Sequence, residues 1–184
     1  MLRRLSQPFR RFARAERGGL LVEAVIVLPF LLWAYVALFV FWDVYRSINV
    51  VQKSSYAMAD FLSRQRTPVN PAFINGLRGA MNYMLDSDQP AAIRVTSLQW
   101  VASRNRYEVL WSHSPGNAKP ALTTAALAGL SGRLPLMANG DTVVLFEASV
   151  PYEPAFNVGV EARTFEQFIV TRPRFSPQIA WTNS

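Results

Sequence analysis

GGLLVEAVIVLPFLLWAYVALFVFW, residues 18–42, decides how the rest of this chain is read. From Ala24 to Trp42 there are 19 consecutive residues without a charge, and at about 1.5 Å of rise per residue such a helix matches the ~30 Å hydrocarbon core of a bilayer. The stretch therefore predicts a membrane span from Leu20 through Pro29 to Trp42. Two features separate it from a plain anchor. A glycine pair, Gly18-Gly19, stands at its border behind an arginine cluster, and one acid, Glu23, sits inside its first turns.

Charge supplies the orientation. The formal net charge is +7, which on a soluble domain would suggest a nucleic-acid partner. Its distribution argues otherwise, since residues 1–18 hold six arginines against one glutamate while the remaining residues hold 13 basic against 11 acidic. Arginines crowded on one flank of a span keep that flank in the cytoplasm, so the chain is expected N-in, C-out across the inner membrane, its C-terminal part periplasmic or extracellular. No nucleic-acid partner is expected. With no cysteine there is neither a disulfide framework nor a thiolate metal site.

Three divisions follow: a basic leader, 1–18; a transmembrane and extended helix, 19–65; and an extracytoplasmic domain, 66–184. A cleaved secretory signal fits poorly, because its apolar region spans only ~7–15 residues. Pro29 removes one helix hydrogen bond, which membrane helices tolerate. Trp42 and Tyr45 suit an interfacial aromatic belt. Beyond them Val44, Ile48, Val51, Ser55, Met58 and Leu62 recur at alternating four and three residues, so the helix is expected to run from Leu20 to Arg64, a length of ~67 Å.

Thr67-Pro68-Val69-Asn70-Pro71 breaks that helix and restarts another, with Asn70 as N-cap and Pro71 at the first position; Phe73, Leu77, Met81 (or Ala80) and Met84 form its expected apolar face. A hairpin follows, Ala92 to Val101, a Ser103-Arg104-Asn105 turn and Arg106 to Ser112, with Tyr107, Val109 and Trp111 alternating on one face. Leu122 to Leu130 reads as a short helix, and Asp141 to Val150 and Glu161 to Thr171 as strands. The fold class is α+β: a long N-terminal transmembrane helix, then a small antiparallel sheet with packed helices.

The border sequence RGGLLVEAVIVLP resembles the cleavage and assembly region of type IV prepilins, and most of all the TadE/TadF pseudopilins of the Flp, or tight-adherence, pilus. GDTVVLFEASVPYEP and a strand ending in VTRPRF with QIAW behind it resemble the C-terminal pattern of the same group, while residues 67–140 hold no specific motif. The resemblance implies a minor pilin that a prepilin peptidase cuts after a glycine, with a glutamate fifth in the mature chain. That count puts the cut after Gly18; a cut after Gly19 leaves the acid one place early. It also implies that Glu23 meets the free N-terminal amine of a neighbouring subunit, among other minor pilins and the pilus assembly platform. Snorkelling of Glu23 to the headgroups is the plainer alternative, and a permanently anchored periplasmic accessory or binding module is the alternative for the whole chain.

Elsewhere the sequence points to no chemistry. His113, expected in a loop after a strand, lacks a second histidine or a cysteine to hold a metal with it, no G-x-S-x-G or phosphate-cradling loop occurs, and Asp86/Asp88 and Glu147/Glu153 fit caps or exposed strand positions. Neither a cofactor nor an enzymatic activity is expected. Arg172 and Arg174 suit an acidic partner, the membrane surface, or a solvated pair that caps a loop.

Overall fold

The computed structural model describes residues 17–85 and 90–183. The basic leader up to Glu16 and the stretch 86–89, with Asp86 and Asp88, lie outside the described residues. Helix α1 is Arg17–Ser63 and α2 is Pro71–Leu85. Strands follow at Ala92–Val101 (β1), Arg106–His113 (β2), Thr142–Tyr152 (β3) and Arg163–Thr171 (β4), with one turn of helix, α3, at Thr124–Leu127 running into a 3-10 segment, Ala128–Arg133. The strands form one antiparallel sheet in the order β2-β1-β3-β4. The α+β class is thus the observed one. The chain divides into two compact units: α1 up to Asp43 with Pro154–Val160, and residues 44–153 with 161–184.

In the second unit, local chemistry sets the element ends. The Asn70 side chain accepts the Phe73 N–H at 2.8 Å, capping α2 as its sequence requires. The hairpin between β1 and β2 closes through a 3-10 turn, Ala102–Arg104, and Asn105 at φ 47°, a left-handed conformation that asparagine tolerates better than most residues. At the end of α1, the Arg174 N–H donates to the Ser63 carbonyl at 2.8 Å, satisfying one of the carbonyls a helix end leaves open.

Register assigns the side chains to two faces. Leu98, Tyr107, Val143 and Leu145 share one face, covered by Leu122, Leu127 and Leu134, with Leu130 and Met137 packed against them. The expected helix through Leu130 is only one α turn followed by 3-10 geometry. Near three residues per turn stack positions three apart, which suits the Leu127 and Leu130 that this face receives. The opposite face holds Ile93, Val95, Ser97, Val144, Phe146 and Ala148, all fully buried. Within this unit α2 packs on β1, and α1 (Val51, Ser55, Met58, Leu62) and α2 (Ile74, Leu77, Met81) each bury a stripe of side chains. The small Ser54, Ser55 and Ala59 on α1 are buried as well.

Three expectations change. The buried line of α2 runs through Ile74 rather than Phe73 and Met84: Met84 is 42% exposed, and Phe73 stacks on Phe61 at 5.9 Å between centroids. A bulge lies between Ser97 and Leu98, which pair with Trp111 and Val109, leaving Leu110 unpaired. The extra residue sends Trp111 to the face opposite Tyr107 and Val109. Glu147, expected exposed, is buried at the centre of β3. Arg94 on β1 lies directly across from it and grips it bidentately, Nε to Oε2 at 2.6 Å and NH2 to Oε1 at 2.8 Å, while NH1 donates to the Pro120 carbonyl at 2.6 Å.

Candidate functional site

The residues singled out by the sequence lie along the first part of α1. Among the described residues, helical backbone runs from Arg17 through Gly18, Gly19, Leu20 and Pro29 without interruption. The glycine pair is therefore not extended here. Gly19 is exposed, with open space where a Cβ would stand. Glu23 follows four residues later, one turn along the same side of the helix, and it too is exposed. Among the described residues no ion pair involves it.

From Ala24 to Trp33 every residue of the helix is exposed, so apolar surface faces outward all round. Leu21, Val25 and Phe30 are 72%, 71% and 70% exposed, and Leu28, Leu31, Tyr35, Leu38 and Trp42 are mostly exposed too. Monomeric soluble proteins rarely leave so much contiguous apolar area uncovered. The helix is long and apolar enough to cross a membrane. Leu28, Leu31, Tyr35, Leu38 and Trp42 step by three and four residues, the spacing of a seam that receives a second helix. In the same unit Trp42 lies against Phe39, 6.3 Å between centroids, and Phe39 meets Phe156 edge-on at 6.4 Å. Ala37 and Val40 are buried.

Arg172 and Arg174 lie in the second unit, on the tail after β4. Arg172 pairs with Asp141 at 3.2 Å and Arg174 with Asp60 at 2.8 Å, where Asp60 also holds Arg64 at 2.8 Å. Both tail arginines thus pair within the chain. With the arginines more than half exposed, these pairs contribute little stability each.

Sequence reasoning missed how the tail is held. The Trp111 indole donates to the Ile179 carbonyl at 2.7 Å; Val69 bridges Trp181, exchanging backbone hydrogen bonds with Ala180 and Thr182. Trp181 stacks against both Trp111 (5.0 Å) and His113 (4.9 Å). The only hint was QIAW behind the prolines. His113 is accordingly no loop residue but the last of β2, half-buried, and burial lowers its pKa from the ordinary 6.5. The folded protein thus keeps this imidazole neutral at a pH where the unfolded chain already binds a proton. Its contribution to stability is whole above 6.5 and declines as pH falls through the lowered folded value. NMR titration of the ring should give a midpoint below 6.5, and Trp181→Ala should move that midpoint back up by uncovering the ring.

No family model, curated protein or solved structure matches this chain.

Proposed function

We propose that this chain is a TadE-like minor pilin, or pseudopilin, that takes part in assembling or initiating a Flp pilus. Its role is structural rather than enzymatic. The protein sits in the inner membrane with residues 1–18 in the cytoplasm and its sheet-bearing part in the periplasm or beyond. A prepilin peptidase removes the arginine-rich leader after Gly18, and the freed amine of Gly19 meets Glu23 of an adjoining subunit. Other minor pilins and the assembly platform are its partners, and nucleic acid is not.

One observation carries this reading: Gly19 and Glu23 stand exposed one turn apart at the start of an apolar helix, below a three-four seam of large side chains. An acid at such a place is costly in lipid and is tolerated where it finds a positive partner. Helical glycines help processing too. A glycine costs a helix roughly 1 kcal/mol relative to alanine, so this end unwinds cheaply into the extended form that a protease binds.

The second reading, a permanently anchored periplasmic accessory or binding module, draws on the same stretch, because uninterrupted helix through Gly18 and Gly19 is what an uncut tether needs. The two readings separate on the N-terminus of the mature protein. Sequencing and intact-mass measurement from peptidase-positive cells should give a chain beginning at Gly19, and from peptidase-null cells the full chain. A chain that keeps its leader in both strains assigns the protein to the tether.

A further inference from the structure

The first compact unit joins the apolar part of α1 to a distant stretch of sequence, Pro154-Ala155-Phe156-Asn157-Val158-Gly159-Val160, between β3 and β4. None of its seven residues is charged, and acids, Glu153 and Glu161, close it at both ends. Both acids are exposed. Phe156 sets its ring edge-on to Phe39 yet remains 51% exposed, so Phe39 covers only part of it.

The position of Phe39 gives this segment a depth. Phe39 belongs to the uncharged run that ends at Trp42, three residues or about 4.5 Å of helix further on. If the run spans a bilayer with Trp42 in the aromatic belt, a side chain touching Phe39 lies at or just beneath the headgroup layer, which is roughly 5–8 Å thick on each side of the hydrocarbon. We infer that Pro154–Val160 is a second membrane contact, a lipid-facing wedge whose Phe156 enters the interfacial layer of the leaflet on the C-terminal side of the span. The inference rests on the membrane reading of α1.

Its chemistry suits that depth and no greater one. Irregular backbone leaves amide groups that hydrocarbon cannot satisfy, but hydrated headgroups can. The carboxylates of Glu153 and Glu161 stay in water and limit how far the segment sinks. Between them Pro154, Phe156 and Val158 are the side chains that favour lipid over water, and Gly159 at φ 92° turns the chain back. A lipid occupant is favoured over a second protein because the only described aromatic partner of Phe156 is Phe39, a residue of the apolar run that lipid itself surrounds.

The full-length chain has no cysteine, so single cysteines carrying an environment-sensitive fluorophore report depth cleanly. The variants are Phe156→Cys, Asn157→Cys (which keeps Phe156), Phe30→Cys in the middle of the run, and Leu136→Cys at a side chain that is 96% exposed. Each is reconstituted in phosphatidylethanolamine and phosphatidylglycerol vesicles containing a lipid with a nitroxide near the headgroup or deep in the chain. Labels at 156 and 157 should lose about half their emission or more to the shallow nitroxide, as expected of an interfacial group, with Phe30→Cys quenched by the deep one and Leu136→Cys by neither. Labels at 156 and 157 that behave like the one at 136, while that at 30 is quenched, would overturn the wedge and leave the span intact. Loss of quenching at 30 removes the span, and the wedge with it.

Discussion

Arg94→Ala should destabilise the sheet-bearing unit by about 3–5 kcal/mol, the cost of leaving a buried charge without its partner. The side chains of Arg94 and Glu147 are 12% and 11% exposed and lie opposite each other on β1 and β3, neither of which is an edge strand. Folded domains are stable by only ~5–15 kcal/mol, so the loss is a large share of what holds this one together. The reverse truncation, Glu147→Ala, should cost less. Arg94 has a long stem and already reaches the carbonyl of the exposed Pro120, so its guanidinium can follow that route to water, whereas a carboxylate in mid-strand has none. The paired replacement Arg94→Met with Glu147→Leu should return stability close to the parent, since an apolar pair avoids the desolvation that an ion pair suffers. Denaturant unfolding of the full-length chain in detergent, followed by near-ultraviolet circular dichroism, ranks the four proteins. Equal losses in all three variants would mean that packing volume, and not the orphaned charge, dominates at this position.

Glu23→Leu carries the largest functional effect. Insertion scales set an acid at the centre of a membrane helix about 2.5–3.5 kcal/mol against insertion, and less near the border where Glu23 stands, so the leucine variant should reach the membrane at least as well as the parent. Under the proposed function it should nonetheless fail to join pilus material, because the amine of the next subunit has lost its counter-charge. Glu23→Gln should fail as well, since a neutral amide keeps the shape and a hydrogen bond but not the attraction between opposite charges. The readout is the amount of protein in sheared pilus fractions relative to the amount in membranes. Normal piliation by the leucine variant sinks the inter-subunit role and returns Glu23 to a residue that merely snorkels.

The features legible in the sequence are those carried by local pattern. Nineteen uncharged residues announce a long apolar helix, Asn70-Pro71 starts the next one, and Asn105 closes a hairpin, because each depends on backbone propensity or on side chains a few positions away. Gly19, Glu23, Pro29 and Trp42 fall on one continuous helix as their spacing requires. The expected apolar face of α2 missed by one position, choosing Phe73 over Ile74, for periodicity tolerates either until a partner surface selects one. The single extra residue at Leu110 has no signature, since an alternating pattern reads the same on both sides of a bulge until the partner strand counts it.

By itself the sequence determined the class of the fold, its one long apolar helix and where charge changes along it, all consequences of residues adjacent or one turn apart. Only the tertiary structure decided which face Trp111 takes, that Glu147 is held by Arg94 across 53 positions, that Arg174 closes α1, and that Phe156 lies on Phe39. Those are pairings between distant segments. They are chosen by which surfaces exclude water together and which buried charges find a partner, and no stretch of chain encodes either one alone.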